Sequence, residues 1–451
     1  MSLLVMKFGG TSVGNATAIA ALAQIAREQL VVWDRLVVVV SAMSGVTDLL
    51  IQGAQTAATG DAESYKAIAR RLREKHAAAL AELVAAPEEV ATTRALIERL
   101  IDEFELLCHS VHVLGEVSPR ALDAISGLGE RMSARLVAAA MRAHGTAAEA
   151  VDASEFVITT AHFGGAVPLQ PQTRDRTQAR LAPLLAHGVV PVVTGFIGAT
   201  ENGASTTLGR GGSDYSGAIV GAALDADEVA IYTDVDGVMT TDPRLTPDAR
   251  VIPIISYAEM GELAYFGAKI LHPRTIRPVV ERQIPLRIRN TFNPTHAGTL
   301  VIDQAEPNGR AIKAVTCIKG MSMITVEGRG MIGVPGVAAR TFGAVASVGA
   351  NVLMISQASS EQSICFVVPT SSAAAVEHAL EEVLANELVR RDVDRIAGRA
   401  SVVIVTAVGA GMRETPGVAS QVFGVLAEQK INVIAIAQGS SECSISVVIA
   451  G

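Results

Sequence analysis

The sequence lacks the features that mark nucleic-acid-binding and membrane proteins. Its 451 residues carry a formal net charge of -8, no basic block stands out, and only 4% of them are aromatic. Attraction to phosphate backbones and stacking on bases are therefore both excluded as main functions. The aliphatic run at 37–40 is far too short to cross a bilayer, so we expect neither a nucleic-acid nor a membrane partner.

Cysteine is equally scarce. Cys108, Cys317, Cys365 and Cys443 lie far apart and show no metal-ligand spacing, which fits a reducing cytoplasm better than a disulfide scaffold. We interpret them as small buried residues of a cytoplasmic protein. The hydrophobic content of 49% instead predicts large cores, and the length predicts about three domains.

The first part of the chain, to about residue 194, alternates aliphatic strands with amphipathic helices. The strand-like runs 3–7, 36–41 and 189–194 are apolar on both faces, as in a parallel sheet that is covered on both sides. The stretch 65–114 is rich in helix formers, with Pro87 as its only proline, and predicts a helical hairpin. This is the pattern of an α/β domain, in which ligands collect beyond the carboxyl ends of the strands.

The first such strand end is the stretch KFGGTS at 7–12. Paired glycines and hydroxyl residues before a helix predicted over 16–29 expose backbone N–H groups, which favour anions. Lys7 adds a flexible cation that suits a phosphoryl group. A tight turn with a solvated lysine explains this stretch equally well.

Two further turns carry candidate substrate contacts. Ser41 and Thr47 flank a hydroxyl-rich turn after the second strand, where they either contact a ligand or cap the helix that follows. Glu130 stands near the start of a helix, where it either complements the helix dipole or meets a substrate ammonium group.

The most specific stretch is TTLGRGGSDYSG at 206–217. Arg210 offers a planar fork for a carboxylate, Ser213 is able to cap the helix, and Asp214 places a carboxylate at the helix start. A loop with a structural role alone rarely needs all of these groups. The later stretch TDVDGVMTTDPR at 233–244 has the carboxylates and hydroxyls of a nucleotide loop. A calcium loop is its rival, but the helices and terminal glutamate of an EF-hand are missing.

Taken together, these motifs resemble the aspartate kinases of the amino-acid kinase family. The resemblance rests on the stretches 7–12, 209–215, 233–235 and 266–269, which occur in the family's order, and it covers nearly the whole chain. It implies a three-layer αβα sandwich with a mostly parallel sheet. It also implies phosphorylation of the side-chain carboxylate of L-aspartate by ATP and Mg²⁺ to 4-phospho-L-aspartate, the first step toward lysine, threonine, methionine and isoleucine.

The resemblance assigns roles to individual residues. The expected catalytic residues are Lys7, Asp214 and Lys269, the last on a helix that stops at Pro273. The two lysines neutralise the phosphoryl oxygens, and Asp214 orients the lysines and Mg²⁺. The expected substrate contacts are Ser41, Thr47, Glu130, Phe196, Arg210 and Ser213. Arg210 pairs with the α-carboxylate of aspartate and Glu130 with its α-ammonium. The expected nucleotide contacts are Gly9, Gly10, Thr233, Asp234, Met239 and Arg244. Met239 departs from the family, whose members usually carry an aromatic residue there.

The last third of the chain repeats itself. The segment 330–338 corresponds to 411–419, and 356–364 corresponds to 437–445. Both copies resemble ACT domains, which are small α+β modules of ferredoxin-like fold that bind amino acids. By motif, Gln357 and Gln438 correspond to glutamines that contact threonine in aspartate kinases joined to homoserine dehydrogenase. The expected inhibitor is therefore threonine, with lysine second.

The expected domains are a kinase domain at 1–303 and two ACT modules at 310–395 and 396–451. The second module lacks its last helix and strand, so either the segment 311–317 completes its sheet or the native chain continues into another enzyme. ACT modules typically pair, which implies a homodimer or a dimer of dimers.

Other functions stay open at this point. The chain could be a kinase of another acidic amino acid or of a nucleotide, although Glu130 together with Arg210 favours a free amino acid. A catalytically silent amino-acid sensor is disfavoured by the complete set of catalytic residues. A NAD-dependent oxidoreductase is the weakest alternative, because the dinucleotide-like stretch GRGMIG at 328–333 has no acidic partner for a ribose and is better explained as an ACT turn.

Overall fold

A computed structural model describes residues 1–267, 271, 273–304, 311–357, 362–413, 415–438 and 443–451, without the side chains of 273 and 274. The chain forms two compact units. The first comprises Met1–Val238, Val251–Tyr257 and Ile270–Ala305. The second comprises Met239–Arg250, Ala258–Lys269 and Glu306–Gly451. The domain boundaries expected at 303 and 395 stay predictions.

The first unit is built on a long, mostly parallel sheet. Its strands are β1 (Leu3–Phe8), β2 (Arg35–Val40), β3 (Ala148–Val151), β4 (Ile158–Thr159), β5 (Val190–Thr194), β6 (Ile197–Thr200), β7 (Ser205–Thr207), β8 (Glu228–Thr233), β9 (Ile254–Ser256), β10 (Leu286–Asn290) and β11 (Thr299–Ile302). The large sheet has the order β3-β5-β2-β1-β8-β10-β11-β9, and only β10 and β11 pair antiparallel among its described neighbours. A small sheet joins β4, β6 and β7.

Helices cover both faces of the large sheet. The helices up to residue 281 are α1 (Ala16–Gln29), α2 (Val46–Ala58), α3 (Ala62–Leu83), α4 (Pro87–Leu114), α5 (Pro119–Ser126), α6 (Leu128–Ala143), α7 (Gln170–Ala186), α8 (Gly212–Ala223), α9 (Tyr257–Tyr265) and α10 (Pro273–Glu281). Helix α9 belongs to the second unit except for Tyr257. Helices α1 and α6 pack on β2, and α8 packs on β1 and β8. The expected αβα architecture is confirmed.

The core of this unit follows directly from the sequence pattern. Every residue of β1 is buried, as are the aliphatic residues 36–40 of β2, because layers of helices exclude water from both faces of these strands. The expected helical hairpin is also present as α3 and α4. Arg73 links its two helices through Glu98, Asp102 and Glu105, at 2.8, 2.8 and 2.9 Å respectively.

The second unit contains both sequence repeats. Its elements after residue 311 are β12 (Ala314–Glu327), α11 (Val337–Ser347), β13 (Met354–Gln357), β14 (Ser363–Pro369), α12 (Thr370–Val383), α13 (Ala385–Arg390), β15 (Arg395–Val408), α14 (Val418–Glu428), β16 (Val433–Gln438) and β17 (Ser444–Ala450). They form an antiparallel sheet of order β13-β14-β12-β15-β17-β16.

Strand β12 serves both repeats. Its first part, 314–318, pairs with 404–408 of β15, beside β17 and β16 of the second repeat. Its later part, 321–327, pairs with β14 of the first repeat and with the beginning of β15. A register shift between Ile318 and Met321 separates the two parts. Each repeat thus obtains four strands, and the strand order is that of a ferredoxin-like module.

Candidate active site

The site lies beyond the carboxyl ends of the central strands β1 and β2. The connections that follow these strands lead into α1 and α2, while β8 lies on the other side of β1, so the chain leaves a crevice at this edge. An open cleft of about 540 Å³ occupies the crevice. It brings together nine of the residues expected at the site: Lys7, Gly10, Ser41, Thr47, Glu130, Phe196, Arg210, Ser213 and Asp214.

An ion pair joins the two expected catalytic residues on this side of the cleft. Lys7 Nζ at the end of β1 lies 2.5 Å from Asp214 Oδ1 in the first turn of α8, and the two side chains are 7% and 19% exposed. The low exposure strengthens the attraction, because little water screens the two charges. Gly9 lies directly beside the pair, since a Cβ built on it would lie 3.5 Å from Lys7 Nζ, an ordinary contact distance.

Glu130 is a buried carboxylate with an incomplete set of hydrogen bonds. It is 4% exposed, and its Oε1 accepts a hydrogen bond of 3.1 Å from the backbone N–H of Ala42. Its Oε2 has no hydrogen-bond partner in the part of the chain that the structure describes. Burial raises the pKa of Glu130 to about 8, against the Ala42 hydrogen bond and the nearby positive charge of Lys7. A cationic ligand group would satisfy Oε2 and favour the ionised form.

Arg210 lies on a loop that glycines shape. Gly209 and Gly211 on either side of it have φ values of 73° and 70°, a backbone region that side chains disfavour. The guanidinium is exposed at the cleft, and among the described residues nothing pairs with it. It is therefore available to an anionic ligand group.

The expectation that Ser213 caps α8 is wrong. Gly211 stands at the N-cap position in the left-handed conformation, and no side chain caps this helix. The same holds for α2, whose N-cap is Gly45, so Thr47 does not cap it either. Both helix starts line the cleft, where uncapped N–H groups favour an anion.

Phe196 holds a strained backbone conformation at the cleft wall. Its φ is 66°, which is unusual for a residue with a side chain. The Ser216 hydroxyl stabilises this turn, because it accepts a hydrogen bond from the Phe196 N–H at 2.9 Å and donates to the Gly212 carbonyl at 3.0 Å. A Cβ on Gly212 would lie 2.6 Å from Phe196 Cδ2, so only glycine fits under the ring.

The expected nucleotide contacts are divided between the units. Gly9, Gly10, Thr233 and Asp234 belong to the first unit, whereas Met239 and Arg244 belong to the second. Gly9 donates its N–H to the Tyr232 carbonyl at 3.1 Å, and the Thr233 hydroxyl donates to Asp234 Oδ1 at 3.1 Å. Arg244 is 76% exposed and pairs with Asp242 through hydrogen bonds of 2.7 to 3.2 Å.

Lys269 falls outside the described residues. The described residues on either side differ from the helix expected to stop at Pro273, because α9 ends at Tyr265 and Pro273 begins α10. Gly267 between them has a φ of 98°, which breaks a helix.

Sequence reasoning overlooked several residues of the cleft. Ser44, Gly45 and Asp48 line it, and the Ser44 hydroxyl donates to the Gly10 carbonyl at 2.9 Å, which joins the two turns. Their position in the hydroxyl-rich turn after β2 could have indicated them. Only Ser41 and Thr47 of that turn were predicted, because of their hydroxyl groups.

The expected effector glutamines belong to the second unit. Gln357 and Gln438 are both exposed and end the two edge strands β13 and β16. The Ser356 hydroxyl donates to the Ile436 carbonyl at 3.1 Å, so these two edges meet. The segments that follow the two glutamines, 358–361 and 439–442, lie outside the described residues.

Two other features of function are absent from the described residues. No helix there is long and apolar enough to cross a membrane. No group of three or more His, Cys, Asp or Glu side chains there could hold a metal ion.

Comparison with known proteins places these features in a family context. A model of the amino acid kinase family matches residues 2–290, and a model of the ACT domain matches 324–384 and 405–451. The chain is 38% identical over 452 residues to bifunctional aspartokinase/homoserine dehydrogenase 1, chloroplastic, of Zea mays, covering 99% of this chain and 48% of the relative. It is 32% identical over 453 residues to aspartokinase 3, chloroplastic, of Arabidopsis thaliana, covering 99% of this chain and 78% of the relative. The chain spans about half the length of the bifunctional relatives that it matches.

A solved structure is similar over the full length. Aspartokinase III of E. coli in complex with aspartate and ADP has a TM-score of 0.81 and 31% identity, covering 100% of this chain and 96% of that one. The same protein in complex with lysine and aspartate has a TM-score of 0.79, with the same identity and coverage.

Proposed function

The chain belongs to the aspartokinases of the amino acid kinase family, and from this premise we propose that it phosphorylates the side-chain carboxylate of L-aspartate. A carboxylate oxygen attacks the γ-phosphorus of ATP and forms the acyl–phosphate bond. The bond from that phosphorus to the β,γ-bridging oxygen breaks, and its electrons stay on ADP. The products are 4-phospho-L-aspartate and ADP.

The observation that carries this proposal is a carboxyl group and a guanidinium in one cleft, each with bonding capacity that no described residue uses. Glu130 offers a buried oxygen without a partner, and Arg210 offers an exposed guanidinium without one among the described residues. A free α-amino acid carries both complementary groups, an ammonium and a carboxylate. With Glu130 on the ammonium and Arg210 on the carboxylate, the amino acid would present its side chain to the rest of the cleft, where Lys7 lies. Ser41, Thr47, Phe196 and Ser213 are its remaining proposed contacts.

The chemistry needs no general base, because the attacking carboxylate is already ionised at neutral pH. Catalysis then consists of positioning the reactants and stabilising the negative charge on the phosphoryl oxygens and on the bridging oxygen that leaves with ADP. Lys7 would neutralise phosphoryl oxygens, and Asp214 would hold the Lys7 ammonium in place through their 2.5 Å contact. Lys269 is the second lysine that we assign to the phosphoryl group.

ATP would bind along Gly9, Gly10, Thr233, Asp234, Met239 and Arg244. The site residues fit Mg²⁺ that arrives with the nucleotide, since this ion usually takes one or two protein carboxylates and completes its shell with phosphate oxygens and water. Asp214 is a carboxylate at this position, and the described residues contain no larger metal-binding cluster. When bound, the ion would neutralise phosphate charge.

Regulation is the second part of the proposal. We assign threonine, and lysine as second choice, to sites at Gln357 and Gln438, because both glutamines are exposed at the ends of equivalent edge strands. Pairing of ACT modules between two copies of the chain would give a homodimer or a dimer of dimers. We propose no nucleic-acid or membrane partner, and a cytoplasmic location.

The test is an assay of acyl phosphate formation by the full chain. With ATP, Mg²⁺ and hydroxylamine, we expect a hydroxamate that requires L-aspartate and that is lost in Lys7→Ala. Lys66→Ala is the matched control, because Lys66 is a half-exposed lysine on α3 that pairs with Glu63. Hydroxamate from L-glutamate and none from L-aspartate would overturn the substrate assignment. Threonine binding without phosphoryl transfer to any amino acid would favour a silent sensor.

A further inference from the structure

Asp123 is a buried carboxylate that the proposed mechanism does not use. It belongs to α5, is 3% exposed and does not line the cleft. Its oxygens accept hydrogen bonds from the backbone N–H of Gly164 at 2.9 and 3.1 Å, from the backbone N–H of Thr207 at 2.9 Å, and from the Thr207 hydroxyl at 2.7 Å. All of these donors are neutral groups.

These hydrogen bonds hold two segments that support the Arg210 loop. Thr207 ends β7, two residues before Gly209, and its carbonyl accepts a hydrogen bond of 2.8 Å from the Ala166 N–H. Gly164 lies on the connection between β4 and α7, and a Cβ built on Gly209 would lie 3.3 Å from the Gly164 carbonyl oxygen. Asp123 therefore secures both the strand that enters the loop and the segment against which the loop rests.

A carboxylate suits this position better than a neutral side chain of the same shape. It has no donor and accepts several hydrogen bonds at once, whereas an asparagine amide has one acceptor oxygen and an NH₂ group that would face the N–H of Gly164 or Thr207. A buried donor without an acceptor is costly, so the segments would shift to find other partners.

We propose that Asp123 is a positioning residue for the amino-acid substrate. It fixes β7 and the segment at Gly164, so that Arg210 is presented to the α-carboxylate of the substrate. This inference rests on the proposed function of Arg210. Because Asp123 lies outside the cleft, its loss weakens substrate binding more than it slows the chemical step.

The first test compares Asp123→Asn with Asp152→Asn in the full chain. Asp152 is the matched control, a carboxylate of the same unit with 20% side-chain exposure, which accepts hydrogen bonds of 3.2 and 3.3 Å from Arg135. In Asp123→Asn we expect the KM for L-aspartate to rise about tenfold or more, with kcat and the KM for ATP changed less than about threefold. The control leaves all of them near the wild-type values.

The second test asks whether the effect passes through Arg210. In an Arg210→Ala background, Asp123→Asn should raise the KM for L-aspartate no further, because the group that it positions is gone. An undiminished additional rise would overturn the proposal, as would a loss confined to kcat.

The third test does not depend on activity. Backbone hydrogen exchange, measured by mass spectrometry on peptides that contain Gly164 and Thr207, should become faster in Asp123→Asn and stay unchanged in Asp152→Asn. Thr207→Val is the milder variant if Asp123→Asn fails to fold, because it keeps the shape and the N–H bond and removes only the hydroxyl. It should raise both the exchange and the KM for L-aspartate by a smaller factor.

The possible failures are distinguishable. A wild-type chain that is inactive with aspartate overturns the proposed function, whereas unchanged exchange in both Asp123→Asn and Thr207→Val overturns the role of Asp123.

Discussion

Lys7 and Asp214 stand on different elements, at the end of β1 and in the first turn of α8, with their charged atoms 2.5 Å apart. One turn further along the helix, Gly217 allows this approach, since a Cβ there would lie 3.1 Å from Lys7 Cβ. The ion pair thus holds the start of α8 against β1, and Gly217 permits the close approach of the helix to the strand. Any phosphate group that enters the cleft meets a lysine whose position is already set.

Replacing this lysine by a neutral residue of similar length should remove most of the activity. In Lys7→Met we expect kcat to fall by about 10²–10³-fold, because one preorganised positive charge is lost where negative charge develops. Steady-state kinetics with saturating ATP and aspartate measures this change in kcat. Asp214→Asn should cause a smaller loss, since Lys7 keeps its charge but loses its anchor. A kcat of Lys7→Met within threefold of wild type would contradict the assignment.

Aspartate binding should depend on pH through Glu130. The raised pKa of about 8 means that this carboxyl group is mostly protonated in the free protein at pH 7. Binding of an ammonium group favours ionisation, so the affinity for aspartate should increase by up to about tenfold per pH unit as the pH rises toward 8, and then level off. Calorimetric titrations between pH 6.5 and 8.5 test this, and a flat profile would speak against the contact.

Glu130→Gln is the control for that prediction, and it also tests how Glu130 affects the stability of the fold. Because burial raises the pKa in the folded chain above its ordinary value of 4.5, the folded chain holds more protons than the unfolded one between pH 4.5 and 8. Wild-type stability should therefore fall as the pH rises through this window. Glu130→Gln should bind aspartate weakly at every pH and unfold at a higher temperature than wild type near pH 8.5.

Arg73 should stabilise the helical hairpin of α3 and α4 modestly. It joins three carboxylates, but its side chain is 29% exposed, so solvent screens the attraction. We expect Arg73→Met to lower the free energy of unfolding by about 1 kcal/mol at low ionic strength, and by less in 1 M NaCl. Arg277→Met is the matched control, because Arg277 forms a single exposed pair with Glu281 and should contribute less. Equal decreases in melting temperature in the two variants would contradict a larger contribution from Arg73 and its three carboxylate partners.

The two glutamines of the second unit should govern inhibition without affecting the uninhibited rate. Gln357→Ala or Gln438→Ala should raise the threonine concentration for half inhibition at least about tenfold, since a lost hydrogen bond to a charged ligand group costs about 1.5–3 kcal/mol. Gln429→Ala, at the far end of α14, is the control. Unchanged threonine inhibition in both variants would remove the proposed effector sites, and a response to lysine alone would identify the second choice as the effector.

Much of the cleft could be predicted because its residues follow strand ends. In a parallel sheet the carboxyl ends of neighbouring strands meet at one edge, so Lys7 at the end of β1 and Ser41 after β2 had to lie close together. Arg210 and Asp214 were recognisable because their loop concentrates glycines, a guanidinium and a carboxylate in a few residues. Local chemistry and one rule of sheet topology thus sufficed for these positions.

Other features depend on distant partners that local patterns do not contain. Asp123 looks like an ordinary helix residue, and its hydrogen-bond partners are 41 and 84 residues away. The conformation of Phe196 follows from the ring of its own side chain packing on Gly212 and from the Ser216 hydroxyl, not from β propensity. Ser213 suggested a helix cap because serine often has this role, but the left-handed Gly211 takes the N-cap position.

The sharing of β12 also bears on how the second unit reaches its folded state. During synthesis, residues 314–318 emerge early but find their partners in β15 only after residue 408 has left the ribosome. Such late, non-local pairing slows folding and leaves a strand edge exposed in the meantime. A gene cut between the repeats would yield no autonomous second half. The two modules should therefore unfold together in one cooperative transition. A substitution that destabilises one module should then destabilise the other as well.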